Sequence, residues 1–326
     1  MTALLDIENL KVTFNTRYGQ VTALDGVSLH VNAGETLGVV GESGCGKSIT
    51  ALSTMGLIPS PPGKIADGSI RLDGEDLVGA SPARMRALRG ADIAMIFQEP
   101  MTSLNPVFTV GDQIAEAIML HQNTSRDQAL KDAIALLERV GIPSPDARAR
   151  DYPHQLSGGM RQRVVIAMAV SCRPRVLIAD EPTTALDVTV QAQIFDLLNE
   201  IQRDFGAAII LITHDMGAIS EMADRVAVMY AGRVIEEANA DDVLDYPQHP
   251  YSRGLISCIP ALGKADEGAQ LAEIPGVVPP LHMLGAGCAF ADRCAHRNAR
   301  CDSERPLLVN HGHHPAACHA VEEGRI

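Results

Sequence analysis

The sequence predicts an α/β fold built on a mainly parallel sheet with helices on both faces. Three observations predict it. Apolar, strand-like runs at residues 176–179, 208–212 and 226–230 alternate with helical stretches, and helices alternating with strands in this way cover a parallel sheet. A glycine-rich loop at 41–46 stands between a short apolar run at 35–40 and a helical stretch from Lys47 towards Leu57. Apolar residues make up 46% of the 326 and charged residues 21%, which is enough material for a core in one large domain or two smaller ones.

The elements follow in chain order. Residues 4–14 and 21–31 read as strands separated by a turn near Tyr18-Gly19. The helix that begins at Lys47 is stopped by Pro59-Ser60-Pro61-Pro62-Gly63. A short basic helix at 84–89 precedes a strand at 94–97. From Glu99 to Pro153 the period becomes helical, with Ile114 and Ile118, then Leu130, Ile134 and Leu137, recurring at three or four residues. This predicts a helical insert between strands. Ser157-Gly158-Gly159 then opens a helix running through Ala169. Near Pro260 the composition shifts: residues 260–326 show little periodicity yet hold four of the seven cysteines, and they read as a separate extension.

The net charge of −13 excludes a surface given over to nucleic-acid phosphates, though not a local anion site. No run approaches the roughly 20 apolar residues of a spanning helix. The start, Met1-Thr2-Ala3-Leu4-Leu5-Asp6, lacks the basic opening and apolar centre of a signal peptide. A cytosolic chain that meets membranes only through partners is expected, and disulfides are not.

Gly41-Glu42-Ser43-Gly44-Cys45-Gly46-Lys47-Ser48 matches GxxxxGK[ST] in full. Glycines let the backbone N–H groups wrap closely around phosphates, and the following helix adds its positive end. Lys47 supplies charge at the β/γ-phosphates, and the Ser48 hydroxyl suits Mg²⁺. A second element, Val176-Leu177-Ile178-Ala179-Asp180-Glu181, is an apolar strand ending in two carboxylates. Asp180 can hold Mg²⁺ directly or through water. Glu181 can take a proton from an attacking water.

Leu156-Ser157-Gly158-Gly159-Met160-Arg161-Gln162 lies upstream of Asp180 and resembles the signature sequence of ABC-type ATPases. Gln98 matches the Q-loop glutamine, Ala185-Leu186-Asp187 the D-loop and His214 the switch histidine. Tyr18 matches the aromatic that stacks on adenine. The resemblance covers about residues 4–250. It implies an ABC-type P-loop ATPase over residues 1–259: a mixed sheet core, an antiparallel β subdomain and a helical subdomain at about 99–160, with a small Cys-rich extension at 260–326.

The resemblance also implies roles. ATP would be held by Tyr18, Gly41, Ser43, Gly44, Cys45, Gly46, Lys47, Ser48 and Ile49, with Gln98, Asp180, Glu181 and His214 around the γ-phosphate. Mg²⁺ would fall to Ser48, Gln98 and Asp180. Glu181 would be the base, with His214, Gln98 and Lys47 completing the catalytic set. Ser157, Gly158, Gly159 and Asp187 would face the ATP of a second cassette packed head to tail. Asp187 also reads as the N-cap of a helix starting near Val188. Met160 stands where many members have Gln, and peptide-importer members often carry Met there.

A single cassette, and a Lys47–Ser157 interval too short for the coiled coil of DNA-repair relatives, resemble an importer ATPase. The segments from Gln98 to Pro106, Tyr152 to Gln155 and Glu181 to Val188 look like the dipeptide/oligopeptide/nickel importer group. His249-Pro250-Tyr251 and Pro275-Gly276-Val277-Val278-Pro279 match that group's C-terminal extension. What this implies is the ATP-hydrolysing subunit of a di-/oligopeptide importer, bound peripherally at the cytoplasmic face of the inner membrane. Its partners would be a second ATPase subunit, two permeases and an extracytoplasmic solute-binding protein, with no nucleic acid. Import of nickel or another small solute, and a soluble non-transport ABC ATPase, are the alternatives.

Cys288, Cys294, Cys301 and Cys318 are spaced x5, x6 and x16. Four thiolates suggest a soft metal centre, but the spacing is wider than that of most zinc pairs and differs from ferredoxin runs. Spacing leaves zinc, an iron–sulfur cluster and reduced structural thiols open. Resemblance of 288–294 to the family extension implies a structural [4Fe–4S] cluster on the four. Cys45 reads as a small loop residue, and Cys172 and Cys258 as core.

Overall fold

The computed structural model describes residues 3–17, 19–184, 186–258 and 273–326. Its strands in chain order are β1 (Leu5–Thr16), β2 (Gly19–Val31), β3 (Thr36–Val40), β4 (Gly63–Leu72), β5 (Glu75–Asp76), β6 (Ile93–Ile96), β7 (Val176–Asp180), β8 (Ala208–Thr213), β9 (Arg225–Tyr230), β10 (Arg233–Asn239), β11 (Val309–Asn310) and β12 (Pro315–Ala316). The chain divides into two compact units. One is mainly Val31–Glu35 with Gly79–Ile212; the other is Leu5–His30, Thr36–Val78 and Thr213–Ile326.

In the first unit β6, β7 and β8 run parallel, Ile93 facing Val176 and Val176 facing Ala208. Every residue of the three strands is buried, which is why they read as unbroken apolar runs rather than alternating ones. The expected helical insert is present as Val110–His121 and Arg126–Arg139. Thr109 and Ser125 cap them by accepting from the Asp112 and Gln128 amides. Ile114, Ala115 and Ile118 are buried on the first; on the second, Ala129, Ala133 and Leu137 are buried. Leu130 and Ile134, expected on that buried face, are only half-buried, while Ala129 and Ala133, each one position earlier, are fully buried.

The second unit holds an antiparallel sheet in the order β2-β1-β4-β5. β1 pairs with β4, Leu5 opposite Leu72 and Phe14 opposite Gly63, with a register irregularity between Glu8 and Val12. In the same unit β3 runs parallel to β9, while β9 turns through Ala231 and Gly232, both at positive φ, into antiparallel β10. The unit therefore mixes strand directions.

β4 and β10 were not expected from the sequence. Asp67-Gly68 interrupts the apolar alternation of β4 and much of the strand is only partly buried. β10 carries Glu236 and Glu237 where a buried strand usually has apolar residues. The described tail residues belong to the second unit, where β12 pairs with β10 and β11 pairs with β12. Fully buried Glu236 explains the seating: it accepts from the Gln248 amide (2.6 Å) and the His249 amide (2.8 Å), and its Oε1 lies 2.6 Å from His314 Nε2.

Candidate nucleotide site

The phosphate loop lies in the second unit. β3 is buried throughout and ends at Val40. Gly41 follows at φ 151°, where a Cβ would lie 2.3 Å from the Met229 carbonyl oxygen. Gly46 is the N-cap of the helix Lys47–Thr54 at φ 110°. Both conformations favour glycine. The Lys47 ammonium is buried and folded onto its own loop, donating to the carbonyls of Gly41 (2.6 Å) and Glu42 (3.2 Å). Cys45 is fully buried, and that burial pushes its thiol up. Ser43, Gly44, Ser48 and Ile49 complete the loop and the helix start.

Also in this unit, His214 is exposed just beyond β8. Asp215 next to it caps the helix Met216–Met222, accepting from the Gly217 amide at 2.8 Å.

The first unit holds the carboxylates. Parallel pairing of β6 and β7 brings Gln98 and Glu181 together. Gln98 Nε2 donates to Glu181 Oε2 at 2.9 Å, and the Thr184 hydroxyl donates to the same oxygen at 2.9 Å. Glu181 sits at φ 47° with its amide on the Ile212 carbonyl, 2.8 Å. A glutamate in the left-handed region is uncommon and clusters at functional sites. Asp180, one residue earlier, is buried at the end of β7.

In the same unit Ser157 caps the helix Gly158–Val170, accepting from the Met160 amide at 3.3 Å. Ser157 and Gly158 are exposed. A Cβ on Gly159 would lie 2.9 Å from Val190 Cγ1, so the close approach of two helices requires that glycine. Asp187 caps Val188–Phe205, its Oδ1 accepting from the Val190 amide at 3.0 Å. Tyr18 and Ala185 lie outside the described residues.

Several site residues escaped sequence reading. Thr184 grips Glu181 from within the family-like segment 181–188, which assigns it no role. Glu42 is bound by Tyr251 and Arg293, more than 200 positions away along the chain; those two stand in family-like segments that say nothing of a contact.

The seven cysteines form no disulfide. Cys258 is exposed and Cys172 half-buried, so neither is core. Cys288, Cys294, Cys301 and Cys318 share a neighbourhood: burial first, then the nearby thiols, push Cys288 up to about 11. Among the described residues no group of three or more His, Cys, Asp or Glu is arranged to hold a metal ion. Cys294 Sγ accepts from the His296 amide and Cys301 Sγ donates to Asn298, which turns those sulfurs towards other partners.

Residues 24–184 match the family model described as ABC transporter, and 235–301 match the oligopeptide/dipeptide transporter C-terminal region. A "Dipeptide transport ATP-binding protein DppD" of Bacillus subtilis (strain 168) is 52% identical over 94% of this chain and 91% of its own. An "Oligopeptide transport ATP-binding protein AppD" of the same organism is 49% identical over 95% of this chain and 94% of its own. Among solved structures, the ATP-binding cassette MJ0796, a dimer in a post-hydrolysis state bound to ADP and Pi, is 26% identical with a TM-score of 0.66. It covers 72% of this chain and 98% of its own. CbiO1 of Clostridium perfringens is 29% identical, TM-score 0.64, covering 76% of this chain and 92% of its own.

Proposed function

Because the chain belongs to the ABC transporter family, in the branch with the oligopeptide/dipeptide C-terminal region, we propose that it is the ATP-hydrolysing subunit of a di-/oligopeptide importer. The observation that carries the chemistry is the Glu181 carboxylate, oriented by Gln98 and Thr184 at the end of a buried strand. Relatives named for dipeptide and oligopeptide transport carry the substrate class. The partners we propose are a second cassette, two membrane permeases and an extracytoplasmic solute-binding protein. Among the described residues no helix is long and apolar enough to cross a membrane, which suits a peripheral subunit at the cytoplasmic face of the inner membrane. The modules we propose are 1–259, with the helical subdomain at about 99–160, and 260–326.

The reaction is an in-line attack of water on the γ-phosphate, catalysed by positioning and charge stabilisation. Glu181 takes the water's proton, and Gln98 and Thr184 hold the acceptor oxygen still. Lys47 exchanges its loop carbonyls for β/γ-phosphate oxygens. His214 bears on the γ-phosphate, Tyr18 stacks on adenine, and Ser157, Gly158, Gly159 and Asp187 serve the partner's ATP. Mg²⁺ would be held by the oxygen donors Ser48, Gln98 and Asp180 and would supply neutralisation of phosphate charge.

Glu181→Gln tests this directly. It removes the base and keeps the pocket, so Mg-ATP should still bind while turnover falls about 100-fold or more. Turnover at the wild-type rate would reject Glu181 as the base.

For the tail we propose a structural [4Fe–4S] cluster on Cys288, Cys294, Cys301 and Cys318. What supports it is the all-thiol donor set, whose soft sulfurs suit iron–sulfur ligation, and the resemblance of residues 288–294 to the family extension. Anaerobic purification should give brown protein carrying iron and sulfide. Colourless, iron-free protein with stoichiometric zinc would reject the cluster.

A further inference from the structure

Glu42, the second residue of the phosphate loop, has every polar group engaged. Its carbonyl accepts from Lys47 Nζ at 3.2 Å and its amide donates to the Tyr251 hydroxyl at 2.8 Å. Its carboxylate takes both arms of Arg293, at 2.6 and 3.0 Å. Arg293 is almost completely buried, its side chain 4% exposed against 32% for Glu42. The guanidinium is itself fixed. Nε donates to the Pro275 carbonyl at 2.7 Å and one terminal nitrogen to the Ile274 carbonyl at 3.3 Å; the ring of Phe290 lies 5.7 Å from its central carbon.

The fork therefore has one orientation, set by residues far along the chain, and it holds the loop at the peptide that carries the Lys47 ammonium. A bidentate, charge-assisted pair is among the stronger and more directional of side-chain contacts. A phosphate cradle works only while its N–H groups keep their aim, and an error of about 1 Å in such a site costs about 100-fold.

We propose that Arg293 is a positioning residue for ATP hydrolysis, acting through Glu42 to hold the phosphate loop in its binding shape. This rests on the ATPase reading and extends it to a residue outside the nucleotide motifs. Arg293 does not touch the nucleotide; it sets the carbonyl and amide of Glu42, and with them the path of 42–46.

The test uses the full chain, Mg-ATP calorimetry, steady-state ATPase assays and melting without nucleotide. Arg293→Ala should raise the Kd and KM for Mg-ATP about tenfold or more while the protein stays folded. Arg293→Lys should restore only part, because an ammonium cannot span both carboxylate oxygens. Glu42→Ala should match Arg293→Ala, and the double variant should be no worse than either single one. Wild-type Kd and KM in Arg293→Ala, or losses that multiply in the double variant, would overturn the proposal. If Arg293→Ala does not fold, Arg293→Lys alone and combined with Glu42→Ala decides by the same coupling. A wild type that binds no Mg-ATP would instead remove the ATPase reading, and this proposal with it.

Discussion

At the scale of single residues, Gly41 and His249 make opposite demands on the chain. Gly41 has no room: the carbonyl a Cβ would strike belongs to the backbone of β9 and cannot rotate away. Gly41→Ala should cost about 1–3 kcal/mol of stability and abolish Mg-ATP binding, read by thermal melting and titration calorimetry. His249 is completely buried, accepts from the Tyr251 amide through Nδ1 (3.0 Å), and is held down to about 3 by burial. The unfolded chain protonates this histidine near its ordinary value of about 6.5. A depressed folded value means that the unfolded state binds the extra proton between about 6.5 and 3. Stability from this group is thus full above that window and falls with pH through it, approaching about 1.4 kcal/mol per pH unit. His249→Asn keeps a capping acceptor and removes the titration, so chemical denaturation at stepped pH should show a flatter acid limb. The loop glycines and Lys47 were legible because the whole motif is contiguous. Arg293 was not, since it acts by touching Glu42, to which no local spacing points, and Thr184 was not, since its family-like segment says nothing of a bond to Glu181.

At the scale of elements, contiguity again decides what could be read. β7 and β8 were found because both faces are covered and their apolar runs are unbroken. β4 was missed because it exists as a partner of β1 and bends at Asp67-Gly68. β10 was missed because Glu236 looks like a surface residue until its three donors are seen. Removing one partner of a buried charged group leaves the others unmatched. Glu236→Leu should therefore destabilise the chain by about 3 kcal/mol and free the segment around His314 to limited proteolysis. An unchanged melt and an uncleaved tail would show that the network does not seat β12.

At the scale of the whole molecule, the acidic balance argues against nucleic-acid binding and the motif resemblance implies an importer cassette. The family matches then supported the cassette and its peptide-transport branch. A sandwich of two cassettes that binds ATP only when closed is stabilised by ATP through mass action. With Glu181→Gln and Mg-ATP, sedimentation should show dimers of this chain or of it with its partner cassette; wild type after turnover should not. Monomers under both conditions would contradict the shared-nucleotide reading.

The small pairing of β12 on β10 has one more consequence. An uncovered strand offers a row of free N–H and C=O groups to any passing chain. Ala316 opposite Glu236, with the Ala317 amide donating to the Ile235 carbonyl, occupies part of that row from within the same molecule. A version cut before Val309 would leave that border bare, and its first symptom would be self-adhesion in concentrated solution rather than slower catalysis.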